Sequence, residues 1–235
     1  MSEIVLALEA LRCGYGQATV IHGVSLKIMR GEAVALLGKN GMGKSTLLKG
    51  IMGFLPRQAG SIAFGGDTLV AGQPHTLAAR GIAYAPQEKA VFQDLSVEDN
   101  LRIAVSDPRR FRIGLERIAG YFPFIPQRLR QKAGTLSGGE QKMMILGRAL
   151  MAQLRLLLID EITEGLQPSV IERISGVLQA ERNASSIAML IVEQNVKFAL
   201  STADRFAVLE RGELGEHGPT NMPDAYARII AELGV

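Results

Sequence analysis

The 235-residue sequence predicts a single α/β domain, in which a core with a β-rich amino-terminal part carries an inserted helical lobe. Short apolar runs alternate with amphipathic segments, an order typical of a largely parallel sheet flanked by helices. A glycine-rich loop joins one early apolar strand to a helix, and a later apolar strand ends on two carboxylates. Between about residues 88 and 150 the pattern is helical instead.

The composition is that of an ordinary globular chain, with 47% hydrophobic and 21% charged residues. A formal net charge of +3 is too small to indicate a nucleic-acid surface, so we expect no nucleic-acid partner. The single cysteine, Cys13, excludes an intrachain disulfide framework, fits a reducing compartment and is expected to be buried in the first strand. The amino terminus lacks the basic region of a secretory signal, and no window approaches roughly 18 uninterrupted apolar residues. We therefore expect a cytoplasmic chain that reaches a membrane only through another protein.

The first part of the chain is predicted to be mostly β. Apolar patterns bounded by turn residues predict strands over residues 4–11, 24–29, 33–37 and 61–64. One helix interrupts them, from Lys44 towards Met52, and Gly53 is expected to end it.

The second part begins with helices. Ser96 and Asp99 form a capping box ahead of an apolar-periodic run, and we predict a helical subdomain over residues 88–150. Residues 1–87 and 151–235 then form the core of one domain. In the returning core the pattern predicts a strand over 154–160, a helix from Pro168 to about 181, a strand over 187–193, a helix to about 201 and a strand over 206–209.

The segment GKNGMGKST follows the strand over 33–37 and opens a helix, which is the context that a phosphate-binding loop requires. Glycines let the backbone wrap around a phosphate chain, and N–H groups at the helix start point at it. We expect Lys44 to neutralise β- and γ-phosphate oxygens and Ser45 to offer its hydroxyl to Mg²⁺. The alternative is a glycine-rich turn that binds nothing. The candidate phosphate-binding residues are Gly38, Asn40, Gly41, Gly43, Lys44, Ser45 and Thr46.

The apolar run LLLIDE delivers two adjacent carboxylates, Asp160 and Glu161, at the carboxyl end of a strand, where open α/β sheets place their sites. Adjacent side chains at a strand end point in different directions. We therefore expect Asp160 to hold the Mg²⁺ shell and Glu161 to polarise an attacking water. A solvated strand end is the alternative explanation of such a pair.

The segment LSGGEQ lies just before another helical run. Ser137 and Glu140 form a second capping box. A helix start with a serine and two glycines is also an anion site, because its N–H groups and the helix dipole favour a phosphate supplied from elsewhere. From these residues alone, a capped helix that binds no ligand is an equal alternative.

With GKNGMGKST as Walker A, LSGGEQ as the signature and LLLIDE as Walker B, the sequence resembles the ATP-binding subunits of ABC transporters over essentially its whole length. The resemblance implies a P-loop NTPase core of ABC type, located at the cytoplasmic face of the membrane, that hydrolyses ATP to power transport through transmembrane permease subunits. A periplasmic or extracellular solute-binding protein would be an indirect partner. Two ATP-binding subunits, identical or not, would stack head to tail, so that ATP on Lys44 and Ser45 of one is closed by the signature of the other. The signature residues concerned are Ser137, Gly138 and Gly139.

Two further positions follow from the resemblance. Tyr15, ahead of Walker A, matches the aromatic that stacks on adenine, with a core tyrosine as the alternative. Gln87 matches the glutamine that reaches Mg²⁺ and the attacking water where core and helical lobe join, with a surface-loop glutamine as the alternative. The candidate metal ligands are Ser45, Gln87 and Asp160, and the candidate catalytic residues are Lys44, Glu161 and Gln194.

Three positions depart from the family's pattern. Ile162 replaces the usual proline after Walker B, and Gln167 replaces an aspartate, which weakens the expectation of a carboxylate contact across the dimer. Gln194 stands where most members have a histidine that holds the γ-phosphate. Because a glutamine can donate through its amide but cannot take up a proton near neutral pH, we predict that Gln194 senses the γ-phosphate and is not a general base.

The segments TLSGGEQ, GRALM, TEGLQPS and VEQN are similar to those of subunits that drive uptake of branched-chain amino acids, other hydrophobic or amidated amino acids, or urea. One alternative is a soluble ABC ATPase acting in DNA repair or on ribosomes, which normally carries a long coiled-coil insertion or a second cassette. Another is a regulatory module that senses nucleotide with little turnover, suggested by Gln167 and Gln194.

Overall fold

The computed structural model describes residues 3–69, 72–87, 90–105 and 107–234. The strands are β1 (Ile4–Tyr15), β2 (Ala18–Met29), β3 (Ala33–Leu37), β4 (Arg57–Phe64), β5 (Asp67–Thr68), β6 (Ile82–Ala85), β7 (Leu156–Asp160), β8 (Ala188–Glu193), β9 (Arg205–Glu210) and β10 (Glu213–Pro219). The helices are α1 (Lys44–Ile51), α2 (Pro74–Ala79), α3 (Val97–Arg102), α4 (Pro108–Tyr121), α5 (Phe124–Gln127), α6 (Gly138–Leu150), α7 (Pro168–Ser185), α8 (Val196–Thr202) and α9 (Ala225–Leu233). A short 3₁₀ turn spans Ala133–Thr135.

The β-rich amino-terminal part is an antiparallel sheet with the strand order β2-β1-β4-β5. Strands β1 and β2 are longer than the sequence predicts, because β1 continues to Tyr15 and β2 begins at Ala18. Ala10 has a φ of 45°, and the pairing of β1 with β2 shifts register between Leu8 and Leu11. Such a bulge breaks the alternation of buried and exposed side chains, so the apolar pattern stops before the strand does.

The core sheet has the order β10-β9-β3-β8-β7-β6, with β9, β3, β8, β7 and β6 parallel and β10 antiparallel at one edge. Every residue of β3, β7 and β8 is buried. Strands covered on both faces read as continuous apolar runs, which is why the sequence predicts them well. Their carboxyl ends meet at one edge, where Leu37 pairs with Glu193 and Asp160 pairs with Val192. The loops that leave this edge carry the candidate site.

The first helix of the core begins at Lys44, as predicted, and ends at Ile51. Gly43 precedes it with a φ of 101°, and Gly53 follows with a φ of 72°. Both values lie in the left-handed region, which favours glycine. Burial of Cys13 in β1 is also confirmed, and it raises the pKa of the thiol to about 11.

Helices α3 to α6 lie between β6 and β7, and we call this segment the helical part. Ser137 and Glu140 form the predicted capping box at α6. At α3 the Ser96 side chain accepts from the Asp99 amide, but the Asp99 carboxylate accepts from the Ser96 hydroxyl instead of its amide, so only half of the predicted box is formed. Buried side chains such as Phe122 and Met144 belong to the same hydrophobic cluster as Leu157 of β7, so these helices pack continuously onto the core. The observed helices lie within the predicted segment 88–150, whose boundaries as a subdomain stay a prediction.

Strands β5, β6 and β10 and helices α2 and α9 were not predicted. Strand β6 has only four residues, and β10 is an edge strand without a fully buried residue, so neither gives a strong apolar pattern. Among the described residues, no helix combines the length and the hydrophobicity needed to cross a bilayer.

Candidate nucleotide site

The phosphate loop connects β3 to α1 at the carboxyl edge of the core sheet. Gly41 has a φ of 80°, and no atom lies within 4 Å of the position that a side chain would take there. At Gly38 a Cβ atom would lie 2.6 Å from the carbonyl oxygen of Leu209, so only glycine fits. The loop is thus closely supported on the Gly38 side and open on the Gly41 side, as a loop that wraps around a ligand must be.

Lys44 turns its side chain back over this loop and is only 4% exposed. Its Nζ donates to the carbonyl oxygens of Gly38 at 2.7 Å and Lys39 at 2.9 Å. It also pairs with Glu161 Oε1 at 2.9 Å. A buried ammonium group therefore lies in the centre of the loop, and the carboxylate of Glu161 neutralises it.

Asp160 and Ser45 are brought together at the end of β7 and the start of α1. Asp160 Oδ1 accepts from Ser45 Oγ at 3.0 Å, and Asp160 Oδ2 accepts from the hydroxyl of Tyr84 at 2.9 Å. Burial raises the pKa of the Asp160 carboxyl, and these two hydrogen bonds oppose that rise. Burial and the neighbouring Asp160 charge also raise the pKa of Tyr84, which keeps that hydroxyl a donor.

These side chains fit a magnesium ion. Mg²⁺ prefers hard oxygen ligands, usually one or two protein groups together with substrate phosphates. The hydroxyl of Ser45 and the carboxylate of Asp160 supply such oxygens 3.0 Å apart, directly after the loop that would hold the phosphates. The amide of Gln87 joins the same cluster through Glu161.

Glu161 is buried and has a φ of 45°. Its Oε1 pairs with Lys44, and its Oε2 accepts from Gln87 Nε2 at 2.8 Å. Gln87 Nε2 also donates to Glu164 Oε2 at 2.5 Å. The prediction that the two adjacent carboxylates face different partners is confirmed, whereas the role of each in hydrolysis stays a prediction.

Gln194 also reaches the phosphate loop. Its Nε2 donates to Asn40 Oδ1 at 2.7 Å. The residue before it, Glu193, is 2% exposed and accepts from the amide and hydroxyl of Thr163 at 3.0 and 2.8 Å. Burial raises the pKa of the Glu193 carboxyl, against the effect of its hydrogen bonds.

Tyr15 lies at the end of β1, next to the hairpin turn that leads into β2. Val20 and Ile21 of that hairpin would lie 3.2 and 3.0 Å from a Cβ atom at Gly43, so the hairpin packs against the phosphate loop. The side chain of Tyr15 is 49% exposed. Tyr15 is therefore not a core residue, and its ring is accessible for stacking.

The signature lies at the start of α6. Ser137 and Glu140 form a complete capping box, with the Glu140 carboxylate 3.0 Å from the Ser137 amide, and Arg128 pairs with Glu140 at 2.9 Å. Ser137 and Gly138 are exposed, and nothing lies within 4 Å of a Cβ position at Gly138. Within the described ranges, no hydrogen bond connects Ser137, Gly138 or Gly139 with the phosphate loop.

The same helix is tied to the segment around Gln87. Lys142 Nζ donates to the carbonyl oxygen of Gln87 at 2.6 Å, and Arg148 Nη1 donates to that of Ala90 at 2.8 Å. Gln87 thus lies where the core and the helical part join, as expected.

Sequence reasoning missed Tyr84 and Glu164, which contact the predicted site residues Asp160 and Gln87, and it missed the bonded pair Thr163 and Glu193 in the adjoining loops. Recognition of β6 as a strand beside β7 would have placed Tyr84 near the end of Walker B, since Tyr84 pairs in register with Leu158. Glu193 carries a sequence signal of its own, because an ionisable residue directly after a continuous apolar strand is unusual.

A family model described as "ABC transporter" matches residues 21–164 of the chain. The chain is 38% identical to the high-affinity branched-chain amino acid transport ATP-binding protein BraG of Pseudomonas aeruginosa, over 91% of this chain and 92% of that protein. It is 35% identical to a probable branched-chain amino acid transport ATP-binding protein, LivF, of Archaeoglobus fulgidus, over 92% of this chain and 93% of the relative.

Similarity also extends to a protein of another kind. The lipopolysaccharide export system ATP-binding protein LptB of Escherichia coli is 34% identical, with 92% of each chain covered. Among solved structures, a nucleotide-free ATP-binding cassette from an ABC transporter superposes with a TM-score of 0.86 at 23% identity, covering 97% of this chain and 95% of the other. At that identity the likeness shows the fold, and it agrees with the predicted fold class.

Proposed function

Because the chain belongs to the ABC transporter family, we propose that it is the ATP-hydrolysing subunit that powers import of branched-chain or other hydrophobic amino acids, or urea. Two relatives whose names refer to branched-chain amino acid transport, at 38% and 35% identity over more than nine tenths of the chain, support the amino acid assignment. The site then works at the cytoplasmic face of a membrane, on permease subunits that carry the solute. The solute itself does not contact this chain.

The observation that carries the proposal is the cluster formed by Lys44, Ser45, Gln87, Asp160 and Glu161, which we call the phosphate-side cluster. Three separate segments converge there on one buried ammonium group and two carboxylates. Magnesium ion, when bound at Ser45 and Asp160, would neutralise charge on the phosphate oxygens of ATP. Lys44 adds a second positive charge from the loop itself.

The hydrogen bonds around Glu161 indicate how nucleotide would prepare this residue for catalysis. Both carboxylate oxygens of Glu161 are engaged, one by Lys44 and one by Gln87. A γ-phosphate offers Lys44 a stronger anionic partner, so Lys44 would exchange Glu161 for the phosphate. The Oε1 atom of Glu161 would then be free to accept a proton from the attacking water. Gln194, already at the loop through Asn40, would donate its amide to the γ-phosphate.

We call Ser137, Gly138 and Gly139 the signature end of α6. In this scheme the signature end does not bind the ATP held by its own copy. Its exposed position at a helix start and the open space at Gly138 suit a phosphate presented by a second ATP-binding subunit. We therefore propose a head-to-tail pair, identical or not, that closes on ATP and reopens after hydrolysis. The contacts of Lys142 and Arg148 with the segment after β6 would pass that motion to the permease.

The test is reconstitution with the membrane subunits that co-purify from native membranes. Proteoliposomes with the matching solute-binding protein and internal ATP would be assayed for uptake of labelled leucine, glutamine and urea. We expect ATP-dependent uptake of one of these solutes, and none with a Glu161→Gln subunit. Absence of uptake for all three, with the complex intact and ATP hydrolysed, would reject import of this solute class.

A second candidate, lipid export, is favoured by the 34% identity to LptB. In that case the co-purifying membrane subunits would extract a lipid from the proteoliposome instead of importing a solute. A nucleotide sensor with little turnover is the remaining alternative. Equal steady-state phosphate release by the wild type and Glu161→Gln, in the dimeric complex, would favour the sensor.

A further inference from the structure

Glu193 is a buried carboxylate that the scheme above does not use. It ends β8 and is 2% exposed. Its Oε1 accepts from the backbone amide of Thr163 at 3.0 Å, and its Oε2 accepts from the Thr163 hydroxyl at 2.8 Å. Both donors are uncharged, so within the part of the chain that the structure describes the carboxylate is held by hydrogen bonds and not by a salt bridge.

These contacts join two loops that carry candidate catalytic residues. Thr163 lies two residues after Glu161, and the Glu161 amide donates to the carbonyl oxygen of Val192 at 2.9 Å. Gln194 directly follows Glu193 and reaches Asn40 of the phosphate loop. A single side chain therefore fixes the loop after β7 against the loop after β8, at the point where both leave the sheet.

We propose that Glu193 is a positioning residue for hydrolysis, which holds Gln194 and Glu161 in a fixed relation so that both face the same γ-phosphate. The inference rests on the proposed roles of those two residues. Hydrogen bonds in a water-excluded interior are stiff, because no solvent competes for them. Catalytic groups must be held closely, and a displacement of about 1 Å can lower a rate by about 100-fold.

The chemistry of the side chain argues for more than packing. An ionised carboxylate is costly to bury, and a residue that only filled this space could be neutral or apolar. A carboxylate, however, presents two acceptor oxygens, so that it can take both the amide and the hydroxyl of Thr163 at once. A glutamine of the same shape would turn an NH₂ group towards one of these donors and release it.

The test is the kinetics of Glu193→Gln in the assembled transporter. We expect kcat for ATP hydrolysis to fall by at least about 10-fold, while KM for ATP stays within about twofold, because the nucleotide contacts of Lys44 and Tyr15 are untouched. The matched control is Glu210→Gln, the same change at the exposed carboxyl end of strand β9 in the same sheet, which should leave both constants unchanged.

A double-mutant cycle separates positioning from general structural damage. If Glu193 holds Gln194 and Glu161 in register, adding Glu193→Gln to a Gln194→Ala subunit should lower kcat by a smaller factor than in the wild type, because only Glu161 is left to be displaced. Should Glu193→Gln prevent folding, Thr163→Val removes only the hydroxyl donor and takes its place in the cycle. A wild-type kcat in the Glu193→Gln or Thr163→Val subunit overturns the inference. An equal loss of kcat with and without Gln194 also overturns the inference, and so does a wild-type kcat for the Gln194→Ala subunit. An inactive wild type, in contrast, would reject the proposed function itself.

Discussion

The phosphate-side cluster and the signature end of α6 differ in how they are supported. The first is largely buried, and an ion pair and hydrogen bonds connect its three segments, which contribute Lys44 and Ser45, Gln87, and Asp160 and Glu161. The second is exposed and bonded locally, through a capping box between Ser137 and Glu140. Under the proposed scheme the first region is an almost complete site and the second is half of a site, so that chemistry would be prepared within one copy and closure would depend on a second.

The largest effect is expected from a substitution in the phosphate-side cluster. Glu161→Gln should lower ATP turnover by about 10² to 10⁴-fold, the usual contribution of a positioned general base, and leave ATP binding intact because Lys44 and Ser45 remain. Phosphate release and binding of labelled ATP measure the two quantities. Glu164→Gln is the control, since it also removes an acceptor of Gln87 but not the candidate base. Equal losses in both variants would contradict the assignment of Glu161.

The next prediction concerns the half site. Gly138→Asp introduces a carboxylate at the first residue of α6, where the space is open and the helix dipole favours negative charge. We expect the free energy of unfolding to stay equal or rise by up to about 1 kcal/mol. ATP-dependent dimerisation should nevertheless be lost, because the new charge repels the γ-phosphate of the other copy.

Gly176→Asp is the matched control, since Gly176 is an exposed helical glycine with equally open space in α7. It should dimerise like the wild type. Light scattering with and without ATP distinguishes the two variants. A Gly138→Asp chain that still dimerises would show that the signature end does not receive phosphate.

A smaller effect is expected at Tyr15, an exposed residue next to the hairpin that packs against the phosphate loop. Tyr15→Ala should weaken nucleotide binding by about 1 to 3 kcal/mol, the usual contribution of one stacked base, whereas Tyr15→Phe should preserve it. Because stacking is tolerant of the base, ATP and GTP should lose affinity alike. Titration calorimetry of the three proteins tests this. A loss shared by Tyr15→Phe would assign the effect to the hydroxyl and not to the ring.

The smallest effect is a pH dependence of stability in the buried region. Burial raises the pKa of Glu193 above its ordinary value of 4.5, so the folded state binds this proton more tightly than the unfolded state. Its contribution to stability is present below that ordinary value and is lost as the pH rises through the folded pKa. Thermal unfolding measured from pH 4 to pH 7 should therefore show that the wild type loses stability relative to Glu193→Gln. The loss should be about 1.4 kcal/mol for each pH unit that separates the folded and unfolded pKa values. A constant difference would contradict the raised pKa.

In both regions the sequence predicted local features better than contacts between distant segments. Apolar continuity located β3, β7 and β8, and glycines and capping boxes located the starts of α1 and α6, because these signals are local. Tyr84 and Glu193 were missed because their importance comes from neighbours far along the chain, Asp160 and Thr163. Residues 88 and 89, where the predicted helical subdomain begins, lie outside the described residues. Contacts between segments distant in sequence depend on strand order, which local patterns do not determine.

The central claim is that ATP held by one copy is closed by the signature end of another. Sedimentation measures the mass of the assembly directly. It would be carried out on the Glu161→Gln chain, in which we expect hydrolysis to be blocked, first with the chain alone and then with the membrane subunits. We expect a dimer with ATP and Mg²⁺ and a monomer of the free chain with ADP. A mass that does not change with nucleotide in either setting would contradict the account.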